Sequence, residues 1–330
     1  MITPKYFKKF KCLGGSCPDS CCDAGWEITI DQKAFDRYSR LKGELGERFK
    51  SSITTGEEGD CIFKLNEDGR CPFHNEKGLC ELYIATHGKM TEICKSYPRY
   101  YEEFDGFTEA GISISCPEAA RLILSAKPKD YAFGKEKSDD ELLNDYLFFR
   151  KQAFDSVNGR YNADWTLLDI MLKGHALQIG NDIGEYIQAD SPNVVKRSDP
   201  YETVNRICDM ILSNTEILYP QWQEILQKGA VEIKKADDGM KKNYLRYLIY
   251  RYYLKAINRE DMLATVQLIA ILYLLPMMLE GDYVELCRLC AKEIEHNAEN
   301  REAILDELTI CSLTTPAMIE GAIRSVCDKR

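Results

Sequence analysis

Residues 11–23 read KCLGGSCPDSCCD and bring Cys12, Cys17, Cys21 and Cys22 within reach of one compact loop. The spacing is Cys-x4-Cys-x3-Cys-Cys, and Gly14, Gly15 and Pro18 permit the tight turns that such a loop needs. Working outward, nine of the 14 cysteines lie in the first 116 residues; Cys61, Cys71, Cys80, Cys94 and Cys116 complete that group. Thiolates are preferred ligands of zinc and of iron–sulfur clusters, and four of them close a tetrahedral site or a cubane. Spacing alone does not choose between the two metals. Disulfides are the competing explanation for so many thiols. Adjacent side chains such as Cys21 and Cys22 tend to diverge, so one can ligate while the other packs or serves a second site.

The rest of the composition narrows the possibilities. The 330-residue chain is 45% hydrophobic and 29% charged, as expected of a folded globular protein. A formal charge of −10 argues against a nucleic-acid partner, because phosphate contacts need a basic face. Lys5, Lys8, Lys9 and Lys11 form the one local basic cluster. The opening residues MITPKYFKKFKC hold neither a continuous apolar stretch nor a small-residue cleavage site, so no export signal is expected. Leu268–Leu279, interrupted by Pro276, is too short for a membrane span and suits a buried core helix. A cytoplasmic protein with no membrane partner is expected, and in that reducing compartment clustered cysteines bind metal before they form disulfides.

The chain changes character near residue 126. Residues 1–125 read as a loop-heavy, cysteine-rich metal or iron–sulfur module, with Trp26–Ile30 (WEITI) as its best strand candidate. Residues 126–138 read as a polar linker, with Ser138 and Glu141 as a helix cap and its partner. Residues 139–330 read as an all-α domain, a possible substrate site, so the fold class is mainly α. Apolar residues recur at helical spacing over Tyr201–Leu212, Tyr219–Leu226, Lys242–Ile257, Asp261–Leu279, Tyr283–His296 and Glu302–Leu308.

Within the cysteine region, His74 and His87 can replace a thiolate or simply hydrogen-bond, and Asp19 and Asp23 can ligate or cap turns. Arg99 can pair with a carboxylate, either structurally or as a binding group. The lone Cys287-x2-Cys290 reads as ordinary buried cysteine on a helix. No two glycines are two residues apart, so a G-x-G donor loop is absent, and strand–helix alternation is missing as well.

Cys17-x3-Cys21-Cys22 with Gly25-Trp26, followed by GRCPF, GLC and CKSYPR, resembles the zinc- or iron-chelating cysteine-rich region of the flagellin lysine-N-methylase family. The resemblance covers roughly residues 4 to 118, with a weaker likeness in YLRYLIYRYYLKAI and EIEHNAEN. It implies a protein-lysine N-methyltransferase that transfers methyl groups from S-adenosylmethionine to lysine ε-amines of flagellin, with a cysteine-ligated iron–sulfur cluster, a 4Fe-4S cluster or zinc in its place. It also implies ligands drawn from Cys12, Cys17, Cys21, Cys22, Cys71, Cys80, Cys94 and Cys116. Arg99 would then meet the donor's carboxylate. The partner would be flagellin or another lysine-containing protein.

Methylating a lysine requires a neutral amine, whereas a free one titrates near pH 10.4, so a base or a desolvating wall is needed. Glu293, His296 and Asn297 are candidates for that work, Glu293 and Asn297 sharing a helix face at i and i+4. The same residues also read as a polar helix end. Tyr244, Tyr247, Tyr250, Tyr252 and Tyr253 supply an aromatic helix that can wall a cation channel or pack a core. Two other function classes stay open: a non-enzymatic zinc- or cluster-stabilised protein-interaction module, and an electron-transfer protein.

Overall fold

A computed structural model of the chain describes residues 1–56, 59–131, 136–180 and 195–329. Helix accounts for 59% of the structure and strand for 8%, which bears out the mainly α reading. Two units separate. One comprises Lys9–Tyr100 with Cys116–Ala119; the other comprises Met1–Lys8, Tyr101–Ser115 and Ala120–Arg330. The division therefore differs from the composition change near residue 126. Residues 101–115 join the helical unit because Glu109 and Ala110 are held there. Glu109 is tied to Arg150, and the Ala110 carbonyl accepts from the Tyr250 hydroxyl at 3.3 Å. Part of the expected linker, Gly134 included, lies outside the described residues.

The first unit is made of short pieces: α1 (Gln32–Tyr38), α2 (Gly43–Ser51), β1 (Ile53–Thr55), β2 (Cys61–Phe63), α3 (Glu81–Ala85) and α4 (Glu92–Ser96). β1 and β2 pair antiparallel, with Ile53 opposite Phe63 and Thr55 opposite Cys61. The WEITI segment runs beside β2 but makes a single bridge, Thr29 to Ile62, rather than a full strand. The Asp31 carboxylate accepts from Ala34 N at 3.0 Å and from Glu92 N at 2.8 Å, so one side chain starts α1 and anchors α4. Ile28, Tyr38, Phe49, Phe63, Phe73 and Leu82 form the core. Phe63 meets Phe73 edge-to-face with ring centroids 5.2 Å apart.

A hairpin follows, β3 (Arg99–Phe104) and β4 (Phe107–Ile112), turned by Asp105 and Gly106. Then come α5 (Pro117–Leu124), α6 (Glu141–Asn158), α7 (Ala163–Gln178), α8 (Pro200–Asn214), α9 (Pro220–Lys228), α10 (Asp238–Tyr252), α11 (Met262–Met278), α12 (Tyr283–Cys290), α13 (Ala298–Ile310) and α14 (Pro316–Asp328). The N-cap of α6 is Asp140, not Ser138; the Ser138 hydroxyl donates instead to Asp105 at 2.6 Å.

α11 is the axis of the helical unit. It is apolar all round and buried along nearly its whole length, with α7, α8, α10, α12, α13 and α14 packed around it. Gly174 on α7 permits the closest approach, since a Cβ there would sit 2.7 Å from the Val266 methyls. Pro276 lies in the last turn and has no N–H for the Leu272 carbonyl. The Tyr244 hydroxyl donates to that carbonyl at 3.1 Å, and Lys234 donates to Pro276 O at 3.0 Å and also to Leu279 O. No described helix is long and apolar enough to cross a membrane.

Arg150 makes a fork-to-fork pair with Glu109, at 2.8 and 2.7 Å, with both side chains buried. Removing one partner leaves the other charged and desolvated. Arg150→Met is therefore expected to destabilise the helical unit by about 3–5 kcal/mol, read by denaturant unfolding. Glu136, whose side chain is also buried, lies 3.5 Å from Arg150 and loses that contact in the double change with Glu109→Gln, which is therefore expected to recover only part of that loss. A single-variant cost below about 1 kcal/mol would show that the pair is not holding the hairpin to α6.

Candidate functional site

Local hydrogen bonds bring the cysteine segments together. The Trp26 indole N–H donates to Cys21 O at 2.6 Å, and its ring lies 5.5 Å from Tyr97. Cys71 N donates to Cys22 O at 2.8 Å, which ties GRCPF to the 11–23 loop. Asn75 accepts from Lys77 N and Leu79 N and so forms the turn that presents Cys80, the N-cap of α3. Thr91 caps α4 through Cys94 N. Gly78, at φ +71°, brings its turn against the CLGGSC loop; a Cβ there would lie 3.2 Å from Gly15 O.

The outcome is one cavity of about 400 Å³ in the first unit, with Cys12, Cys17, Cys21, Cys22, Cys71, Cys80, Cys94 and Cys116 on its wall. These are the eight cysteines singled out through the resemblance. Cys61 sits on β2 and is not among the lining residues. The volume falls in the range of small-molecule and cofactor sites and equals that of about 13 waters, far more than a single ion needs. Lys11, Lys95 and Arg99 also face the cavity, with Asp19 as the lining carboxylate. The Arg99 guanidinium stacks over Phe10 at 5.0 Å.

Burial dominates the electrostatics of these thiols. Burial pushes Cys71 up to about 12 and Cys94 up to about 11, and it raises Cys80 and Cys116 as well. A hydrogen bond from Cys21 lowers Cys22 to about 6, while the same bond and burial raise Cys21. Metal charge is what converts such thiols to thiolates. Among the described residues, however, no three His, Cys, Asp or Glu side chains converge on one point as ligands of a single ion.

Asp23 and His74 support the wall. The His74 Nδ1 atom lies 2.7 Å from Asp23 Oδ1, Arg70 bonds the same carboxylate, and His74 Nε2 is buried without a protein partner. His74 is near enough to Cys22 for their charges to interact.

The remaining candidates lie in the helical unit and have structural partners. Glu293 accepts from Leu218 N at 3.0 Å and Tyr219 N at 2.7 Å. Asn297 caps α13 and reaches Glu216 at 3.4 Å, so these two share a neighbourhood. His296 turns elsewhere, with Nε2 2.7 Å from Ser115 Oγ and 3.1 Å from Ser113 Oγ. The five tyrosines of the 244–253 stretch are buried rather than lining a channel. Tyr247 and Tyr252 donate to Glu295, which also pairs with Arg251 at 3.1 Å. Cys287 and Cys290 are fully buried. Sequence reasoning missed the Glu295–Arg251 network and the Asp23–His74 pair. The tyrosine spacing held a trace of the first; the second joins residues 51 positions apart.

Comparison of the chain with family models, with curated proteins and with solved structures finds no match.

Burial raises Glu293 to about 7 against the lowering effect of its two backbone donors. Its folded value lies above its unfolded one, so the folded chain binds more protons between about pH 4.5 and 7 and loses stability as pH rises through that window. Glu293→Gln is expected to remove this slope. Thermal midpoints of the two proteins should draw apart systematically across the window; a constant difference would show that Glu293 does not titrate there.

Proposed function

We propose that the protein is a protein-lysine N-methyltransferase that uses S-adenosylmethionine and a cysteine-ligated iron–sulfur cluster, acting on flagellin or another lysine-containing protein in the cytoplasm. The observation that carries the cluster is the convergence of eight thiols on one roomy cavity. The methyl donor and the target come from the sequence resemblance alone. In this reading Lys9–Tyr100, completed by Cys116–Ala119, supply the loop-heavy metal module, and the helical unit supplies the protein-binding surface.

In the reaction, the methyl–sulfonium bond of the donor breaks as a carbon–nitrogen bond forms to a neutral ε-amine. S-adenosylhomocysteine departs as a thioether, and the methylated nitrogen gives its extra proton to solvent. Arg99, on the cavity wall, is suited to pair with the donor's carboxylate. Lys11 and Lys95 offset the negative charge of thiolate ligands. A bound cluster would supply concentrated charge and redox capacity beside the donor.

A second reading, a non-enzymatic cluster- or zinc-stabilised interaction module, is favoured by one observation: Glu293 and Asn297 are occupied in capping and His296 in serine contacts. The deciding experiment uses the full chain purified without oxygen, with methyl-labelled S-adenosylmethionine and unmethylated flagellin. Label on lysine, greatly reduced by Arg99→Ala at unchanged iron content, is the expected result. Iron-loaded protein that neither binds the donor by calorimetry nor transfers label would establish the interaction module.

A further inference from the structure

Trp26 and Tyr97 lie on the wall of the thiol cavity, with ring centroids 5.5 Å apart and planes at 43° to one another. We infer that this pair is the seat of an onium cation, the sulfonium of the methyl donor, and that it lets the cavity tell fresh donor from its spent thioether. The inference deepens the proposed function and rests on its choice of donor.

The two rings stand apart from the aromatic core of the unit. Phe49, Phe63 and Phe73 are enclosed in that core, whereas Trp26 and Tyr97 are half-buried and do not belong to it. Local bonds hold both residues in place. The Trp26 ring is fixed by its edge, through the indole N–H to Cys21 O at 2.6 Å, and the Tyr97 backbone N–H donates to Ile93 O at 3.0 Å at the end of α4. An indole face is the best aromatic partner for a cation, and a tyrosine face serves as well. Tilted as they are, the rings make two sides of a cage rather than the parallel slot in which a flat base is sandwiched.

The rest of the wall suits the same ligand. Eight thiols share it, and their sulfur is soft and polarizable. Arg99 lies on the wall two residues from Tyr97 and is the group suited to the donor's carboxylate. Lys95 pairs with Glu92 at 3.4 Å, and both Lys95 and Lys11 are exposed, so solvent and salt screen their charge. A molecule that carries a carboxylate and an onium centre on one short chain matches an arginine and an aromatic pair on one wall.

Methyl transfer takes the positive charge off the donor's sulfur. The attraction of the two rings ends with it, so the thioether product is held less tightly than the donor that replaces it.

The test is calorimetry on the full chain, purified without oxygen, with S-adenosylmethionine and S-adenosylhomocysteine as the two probes. The wild type is expected to bind the sulfonium about tenfold more tightly than the thioether. Trp26→Leu and Tyr97→Leu are each expected to lower that ratio toward one, whereas Tyr97→Phe, which keeps the ring, leaves it unchanged. Trp26→Leu also loses the bond to Cys21, so its circular dichroism and metal content are compared with those of the wild type. Tyr97→Leu leaves that bond in place and carries the test if the first variant misfolds. A merely structural pair, or a platform for the adenine ring, would weaken both probes alike. A ratio unmoved in both leucine variants, or equal affinity of the wild type for the two probes, would therefore overturn the sulfonium seat and leave the choice of donor standing. A wild type that binds neither probe would overturn the seat together with that choice.

Discussion

Burial and charge are set against each other in the cysteine cavity, and the first unit is organised around that conflict. Burial raises the Cys71 and Cys94 thiols, a hydrogen bond from Cys21 favours the thiolate of Cys22, and all three face one space. The supporting interactions are modest: an indole bonded to a carbonyl, two glycine loops in contact, an aspartate shared by two helix starts. The aromatic core beneath is small.

The helical unit rests on a different principle. α11 is apolar around most of its circumference and is enclosed by its neighbours, so burial is its main source of stability, with Asp261 capping its start. Several of the polar groups that such packing strands are answered individually, whereas Gln267 on α11 is buried with neither amide atom hydrogen-bonded. A tyrosine hydroxyl serves the carbonyl orphaned by Pro276, a lysine closes the helix end, and Glu295 gathers Arg251 and two tyrosines. These side chains lie far apart in sequence, and their pairing is visible only once the helices are packed.

That contrast explains what could be read in advance. Helical periodicity identified α8 to α13 closely, because an amphipathic or uniformly apolar run has a period that survives without its neighbours. The short strands β1 to β4 were not legible, since three to six residues carry little alternation and their pairing is set by contacts elsewhere. Ser138 was mistaken for a cap because Asp140, two residues on, competes for the same role with a stronger acceptor. At the site, the thiols announced themselves by number and spacing. Catalytic significance for Glu293 and Asn297 was suggested by helix spacing, and the structure shows how readily the same spacing serves capping.

The return of the chain at Cys116 has a consequence for biosynthesis. The cysteine-rich unit is not a contiguous stretch; residues 101–115 belong to the other unit and separate its last cysteine from the rest. A ribosome must therefore extend well past residue 116 before every cavity thiol is outside the exit tunnel. Completion of the cavity wall is thus timed by the emergence of the hairpin and the start of α5, and a proteolytic fragment ending at Tyr100 would carry an incomplete wall.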